Sequence, residues 1–483
     1  MLCTRPVKSA RVKIESPSVS DAAFPLTLQR GVEGPATKGD EGPLIAPVTS
    51  DPALPKRADA VVIGGGIVGV AAAYFLARKG ISVALIEKGQ IAGEQSSRNW
   101  GWCRQQNRDL RELPLMKEGI ALWEALGCDA GRDLGFRRTG LVYVTKDPKE
   151  LATWENWVTK AAPYQIGSRM LTGAEAREMT PGNEQDWIGG VFSSRDGRAE
   201  PGLAAPGLAE AARKLGATVH QNCAVRGIDT MAGRVSGVVT EAGRIETGAV
   251  LCAAGAWASM FCRRHGIDFP QAGVRSTVFS TTAGAEVTPG GLVTPDFTLT
   301  RRLDGGYIVA ALNRGRLDIT PQGIRYARQF WPMFQERRKS LKIRAGRSFF
   351  DGPEAPAGKW SLDAPTVFER HRIFAPAADR SIVAPALRVV TAAYPALAGL
   401  RMARIWGGWI DSTPDGVPVI SPIEALPGFF LAAGFSGHGF GIGPAGGRLA
   451  ADLMAGDRPI VDPTPFRHSR LVDGTDLARP GMM

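Results

Sequence analysis

The chain has 483 residues, 44% of them hydrophobic, and 58 Lys and Arg against 47 Asp and Glu, for a net charge of +11. That length predicts about two to three domains around a sizeable core. The positive charge is spread along the chain without a zinc, helix-turn-helix or RNA-module signature, which argues against nucleic acid as a partner. Six cysteines (Cys3, Cys103, Cys128, Cys223, Cys252 and Cys262) form no CxxC pair, so neither a metal site nor a disulfide framework is expected, and the thiols are expected to be reduced.

Residues 1–55 are rich in Pro, Gly, Ser and charge, and read as an extended or disordered arm. Their start is basic but lacks the apolar stretch of a secretory leader, which predicts a cytoplasmic location. Ala60 to Ala77 is a charge-free run of membrane length, yet its three consecutive glycines suit a turn between a strand and a helix better than a membrane span. "DAVVI" then predicts a buried strand, Ile67 to Lys79 a helix ending at Gly80, and "SVALIE" a second strand. An amphipathic segment follows over Asp109 to Leu126. Helix and strand patterns alternate again from "GLAEAARKLG" to "AWASMFCRRHG". Around 271–312 the pattern becomes β-rich, with a "DGG" turn suited to a hairpin.

The fold class is therefore α/β, a Rossmann-type domain interwoven with an antiparallel-sheet α+β domain and carrying a helical insertion. The expected boundaries are 56–98, 202–270 and 400–466 for the first, 99–201, 271–319 and 384–399 for the second, and 320–383 for the insertion.

"GGGIVG" puts Gly64, Gly66 and Gly69 in GxGxxG spacing after a strand, with Ile67 and Val68 opening the helix. The glycines allow the turn, the approach of a pyrophosphate and close helix–strand packing. Glu87, 23 residues after Gly64, ends the second strand where a carboxylate can hold ribose hydroxyls, with Lys88 beside it. These features leave NAD and FAD both open. A second glycine loop, Gly434, Ser436, Gly437, His438 and Gly439, opens a helix after its own strand "GFFLAA". Its exposed amides suit the negative edge of a reduced flavin ring. The stretch "SSRNWGWCRQQNRD", Ser96 to Asp109, mixes guanidiniums with indoles, which suits a wall facing both anions and an aromatic ring.

"GFSGHGF" is similar to the flavin-contacting loop of sarcosine oxidases. "LPKRADAVVIGGG", "IEKGQIAGEQSSR", "NCAVRGI", "WSLDAPTVFE", "RIWGG" and "RPIVDPTPF", spread in order from about residue 54 to 466, resemble the bacterial L-amino acid deaminases. Both belong to the D-amino-acid oxidase, glycine oxidase and sarcosine oxidase superfamily. The resemblance implies non-covalent FAD. It places Gly64, Gly66, Gly69 and Glu87 on the ADP half, and Gln95, Ser96, Ser97, Arg98, Asn99 and Trp100 along the diphosphate and ring. Val225 would contact the adenine side, and Ala254, Gly255 and Trp257 the ribityl chain. Gly408 and the loop Gly434 to Gly439 would border the pyrimidine edge.

Three features depart from the resemblance. The chain shows no hydrophobic N-terminal membrane helix, Gly441 stands where sarcosine oxidases place a lysine, and "CRQQNR", Cys103 to Arg108, does not match the deaminases. That last segment is where substrate specificity is sought.

The implied reaction oxidises the C–N bond of an amino acid. Hydride leaves the α-carbon for flavin N5, and the imine hydrolyses to keto acid and ammonia. Oxygen or a membrane quinone takes the electrons. A substrate carboxylate needs a bidentate arginine, for which Arg314 is the first candidate, then Arg316 and Arg301; His438 and Gln105 complete the expected substrate side. A D-amino-acid or opine-type dehydrogenase, a flavin-binding electron-relay subunit and a non-flavin NAD protein are the alternatives. Ile324 to Phe350 carries eight basic residues among aromatics, which suits an anionic membrane surface; a solvated helix over the substrate domain is the other reading.

Overall fold

The computed structural model describes residues 42–311, 315–356 and 360–477. Strand Ala60–Ile63 is buried along its length at the centre of a six-stranded sheet. It pairs in parallel with Val83–Ile86 on one side and Val250–Cys252 on the other. Helices and loops cover both faces, which is why the strand is a continuous apolar run rather than an alternating one. The sheet extends to Thr218–His220 at one edge and, through Phe429–Ala433, to the antiparallel Val419–Pro422 at the other.

Helix Ile67–Arg78 is buried from Ile67 to Ala77. It packs between Pro201–Lys214 and the C-terminal helix Gly439–Ala455. Glycine weakens a helix, yet Gly443 and Gly447 sit inside the latter because the crossing needs them. A Cβ on Gly447 would fall 2.6 Å from both the Ala71 Cβ and the Val68 carbonyl, and one on Gly443 would fall 2.7 Å from Ile67.

The second sheet has ten strands. Phe297–Arg301 and Tyr307–Ala311 form the hairpin that the "DGG" turn predicts, with Thr300 opposite Ile308. Ala272–Thr281 pairs from end to end with Met402–Ser412. The sequence reading groups Met402–Ser412 with the Rossmann strands, but its pairing puts it in the antiparallel sheet; an apolar run fits either sheet equally well until its partner is known. The insertion is also more than helical. Helices Pro321–Arg325 and Ala327–Arg337 are followed by strand Leu341–Arg344, parallel to Gly315–Asp318 at the sheet edge. Residues 360–374 then turn back onto the first sheet's side, where Trp360 Nε1 donates to the Arg226 carbonyl (2.7 Å) and Arg226 pairs with Glu369 (2.6 Å).

Residues 42–55 form no regular element but are bonded to the body of the chain. Ala46 N donates to Gly202 O (2.9 Å), and Asp51 pairs with Arg213 (2.8 Å). Among the described residues no helix is long and apolar enough to cross a membrane.

Candidate active site

At the end of the first strand Gly64 adopts φ +108°, and a Cβ there would meet the Ala253 carbonyl at 2.4 Å. On Gly69 a Cβ would lie 2.0 Å from Gly64 O, so that position is a packing glycine. Glu87 ends its strand with one carboxylate oxygen accepting from Gly65 N and the other from Gly89 N, both at 2.7 Å. Burial pushes this carboxyl above its ordinary value. Gly64, Glu87, Lys88, Val225, Ala254 and Trp257 line a recess of about 110 Å³. Lys88 is held by Glu94 (2.6 Å) and lies 4.7 Å from the centre of the Trp257 ring.

Across Gly66, Gln95, Ser96 and Gly255 the recess adjoins a cavity of about 1840 Å³. Ile67 and Val68 line its near end, where Ile67 N donates to Ser96 Oγ (2.8 Å). Arg98, Asn99, Trp100 and Gly408 form one wall. The Arg98 guanidinium is fixed by the carbonyls of Gly407 (2.9 Å) and Gly93 (3.3 Å), and Trp100 meets Trp102 edge-on at 4.7 Å. Ser436, Gly437, His438 and Gly439 form another wall. The loop reaches it through positive φ at Gly434, Ser436 and Gly437, which is why glycine recurs there. His438 precedes the helix and is 4% exposed. Its Nδ1 shares a hydrogen bond with Glu112 (3.2 Å), and its Nε2 has no partner.

Beyond the loop lie Arg104 and Arg108, 8% and 5% exposed, both lining the cavity. Arg104 donates to the Tyr143 hydroxyl, while its Nε and the Nε and Nη1 of Arg108 have no hydrogen-bond partner. Burial, then the Arg104 charge, pushes the Arg108 guanidinium below its ordinary value. Burial likewise raises the Glu112 carboxyl, opposed by Arg108. The Asp196 carboxylate accepts from Gln105 N (2.8 Å) and Gln106 N (3.1 Å), and burial lifts its carboxyl to about 6. For His438, burial and then the charges of Arg108, Arg104 and Arg337 hold the imidazole well below its ordinary value, so it is neutral at pH 7.

The remaining expected residues sit elsewhere. Gly69, Ser97 and Gly434 lie behind the walls; Ser97 Oγ donates to Glu94 O (3.3 Å) and Gly434 N to Asp411 (3.1 Å). Gln105 is turned to Asp196 (Nε2 3.3 Å). Arg316 is occupied by Asp318 (2.6 Å). Arg301 donates to the carbonyls of Gly305 (2.6 Å) and Gly284 (2.9 Å). None of these three lines the cavity. Arg314 lies outside the described residues.

The family model "DAO: FAD dependent oxidoreductase" matches residues 59–453. The chain belongs to this family. Among DAO-family relatives, the sarcosine oxidase subunit beta of Rhodobacter capsulatus is 25% identical over 413 residues, covering 84% of this chain and 87% of that protein. The human mitochondrial dimethylglycine dehydrogenase is 23% identical over 439 residues, and this chain spans 47% of its length. The L-amino acid deaminase of Proteus myxofaciens, solved in complex with anthranilate, superposes with a TM-score of 0.84 at 28% identity, covering 89% of this chain and 98% of that one.

FAD is the cofactor of these homologues, and the DAO-family chain described here offers a fitting cradle: a recess closed to any Cβ at Gly64 and a strand-end carboxylate with both oxygens ordered on backbone N–H groups. Cys103 does not line the cavity. Gly441 also has a physical reason. Its carbonyl accepts from Trp123 Nε1 (2.8 Å), and a Cβ there would come 3.0 Å from Trp102 O, so the helix is packed closely against the 102–103 strand and a side chain there needs that strand to give by a few tenths of an ångström. Sequence reasoning marked "CRQQNR" as a segment but not Arg104 and Arg108 within it as cavity cations, and it missed Glu112, Asp196 and Arg337. Glu112 reads only as the start of an amphipathic helix, and Arg337 as one of eight basic residues.

Proposed function

We propose that this enzyme oxidises the Cα–N bond of an amino acid, in the manner of an L-amino acid deaminase. The observation that carries the reading is the buried guanidinium of Arg108, its Nε and Nη1 without a hydrogen-bond partner, on the wall of the cavity that adjoins the Glu87 recess. A site with a free buried guanidinium recognises a carboxylate, because burial of that charge costs heavily until an anion meets it. FAD, when bound, supplies the hydride acceptor. Glu87 would hold the ribose, Ser96 and Arg98 would line the diphosphate and ring, and the loop at Gly437 to Gly439 would border the ring's edge. Arg108 takes the α-carboxylate. Neutral His438, held by Glu112 at Nδ1, belongs to the same wall, and its unpartnered Nε2 would accept a hydrogen bond from the substrate amine but not its proton, since the imidazole is held well below its ordinary value. Trp100 and Trp102 exclude water from the apolar side.

The electrons pass to oxygen or to a membrane quinone. The exposed basic and aromatic face of the insertion favours the quinone, since it suits contact with an anionic bilayer.

The test is an anaerobic screen of L-, D- and N-methyl amino acids against the purified yellow protein, following loss of flavin absorbance. Bleaching by L-amino acids, with keto acid and ammonia formed, is the expected result. Bleaching by N-methyl amino acids alone moves the function to the sarcosine side of the family, and a flavin bleached by nothing in the panel leaves the electron-relay reading.

A further inference from the structure

The cation cluster is larger than one carboxylate requires. Arg104 and Arg108 both line the cavity, both are more than nine-tenths buried, and both keep guanidinium nitrogens without a partner. Arg337, on the last turn of the insertion helix, lines the same cavity. None of the three forms an ion pair with a carboxylate among the described residues. Neither nearby acid reaches these guanidiniums: Asp196, whose charge acts on Arg104 and Arg108 only through space, accepts from the backbone of Gln105 and Gln106, and Glu112 is held against His438. Arg111, next to them in sequence, is neutralised by Asp109 and Asp415. Lys146 and Lys149 also line the cavity, together with the acids Asp147, Glu150 and Asp296. The arginines without a bonded carboxylate thus gather around His438, on which all three charges act. Tyr143, which accepts from Arg104 and lies under its guanidinium, fixes that charge in place while leaving its Nε free.

We propose that the substrate carries two anionic groups, an α-carboxylate and a second carboxylate on the side chain or on the nitrogen substituent, and that Arg104, with Arg337, binds the second while Arg108 binds the first. The inference rests on the amino-acid oxidation reading above. Two buried guanidiniums side by side repel each other, and a monocarboxylate leaves one of them without a directly bonded anion; a dicarboxylate of amino-acid size meets both. Arg337 arrives from the insertion, so an element separate from the one that carries Arg104 and Arg108 also contributes to the anion site.

The test compares matched pairs on the wild-type holoenzyme: glutamate with glutamine, aspartate with asparagine, and N-carboxymethylglycine with N-ethylglycine, each enantiomer where one exists, by anaerobic flavin bleaching. The charged member of at least one pair is expected to exceed its neutral partner by 100-fold or more in kcat/KM. The glutamate and aspartate arms report a side-chain carboxylate, and the N-carboxymethyl arm one on nitrogen. In parallel, binding of unreactive glutarate and of butyrate is read from the flavin spectrum and from the shift in Tm. Glutarate is expected to bind at least 30-fold more tightly, and Arg104→Gln, checked for flavin content and fold, to reduce that ratio to under threefold. Neutral substrates turned over as well as acidic ones, with glutarate and butyrate binding alike, would overturn the dianion while leaving amino-acid oxidation standing. Tight glutarate binding with no turnover of any amino acid would support the anion site and sink the amino-acid oxidation reading.

Discussion

At the scale of single residues the site is governed by what burial does to charge. Glu112 and His438 form a pair in which the carboxyl is driven up, to about 8, and the imidazole down, so both are neutral at pH 7 and the neighbouring guanidinium of Arg108 keeps its full attraction for an anion. The sign of the pH dependence follows. Below about pH 8 Glu112 stays protonated; above it the carboxylate forms beside Arg108 and competes with the ligand. An unreactive carboxylate such as butyrate, whose own charge is constant over this range, should therefore bind the holoenzyme about tenfold more weakly at pH 9 than at pH 6.5, roughly 1.4 kcal/mol. In Glu112→Gln, which keeps the shape and cannot ionise, the two affinities should agree within twofold. A wild-type affinity independent of pH would show that Glu112 does not titrate in this window. The sequence disclosed little of this. Arginines and glutamines cluster visibly in "CRQQNR", but which of them is left without a partner depends on Asp196 and Tyr143, which come from other parts of the chain.

At the scale of elements, legibility followed local pattern. The glycine turn, its helix and the strand ending in Glu87 were readable because a glycine-rich turn between strand and helix has few other uses. The placement of Met402–Ser412 was not, since strand partners are set by distant residues. The insertion shows the same limit. Its basic and aromatic composition was plain, but its placement was not: Phe334 and Arg337 line the cavity, Trp331 and Ile343 line it too while staying 55% and 53% exposed, and Phe350, 79% exposed, lies off it; Arg338, Lys339 and Lys342 are exposed beside them. Exposed aromatics set among lysines and arginines suit the interface of an anionic bilayer, where each basic residue near the surface contributes about 1 kcal/mol. The holoenzyme should cosediment with vesicles containing a third phosphatidylglycerol and not with pure phosphatidylcholine. Binding should weaken with salt, and the double variant Trp331→Ser with Phe350→Ser should lose at least tenfold. Equal recovery with both vesicle types, or no effect of the double variant, would count against this face.

At the scale of the whole molecule, the cavity draws its walls from both sheets: Gly66 and Ser96 from the nucleotide side, Val274 and Trp409 from the antiparallel side. A cofactor bound along it touches both units, so its binding free energy becomes folding stability shared across the molecule. The sequence identified Gly66 and Ser96 on one wall but not Val274 and Trp409 on the other, because chain order says nothing about how interwoven segments close on each other. Glu87 gives a way to test the linkage. Its carboxylate orders Gly65 N and Gly89 N whether or not a ribose is present, so Glu87→Ala loosens the turn in the apoprotein as well, and a lower Tm alone would prove nothing. The informative quantity is the increment in Tm between the flavin-depleted and the FAD-loaded form of each variant. At a hundredfold excess of FAD over Kd that increment corresponds to about 2.7 kcal/mol. Loss of the ribose acceptor should weaken FAD by about a hundredfold and cut the stabilisation to less than 1 kcal/mol at the same concentration, while Glu87→Gln, which keeps one acceptor oxygen, should fall between. If Glu87→Ala retains the full increment and keeps its flavin through gel filtration, the strand-end carboxylate does not hold the cofactor, and the anchoring belongs to the glycine turn and Ser96 instead.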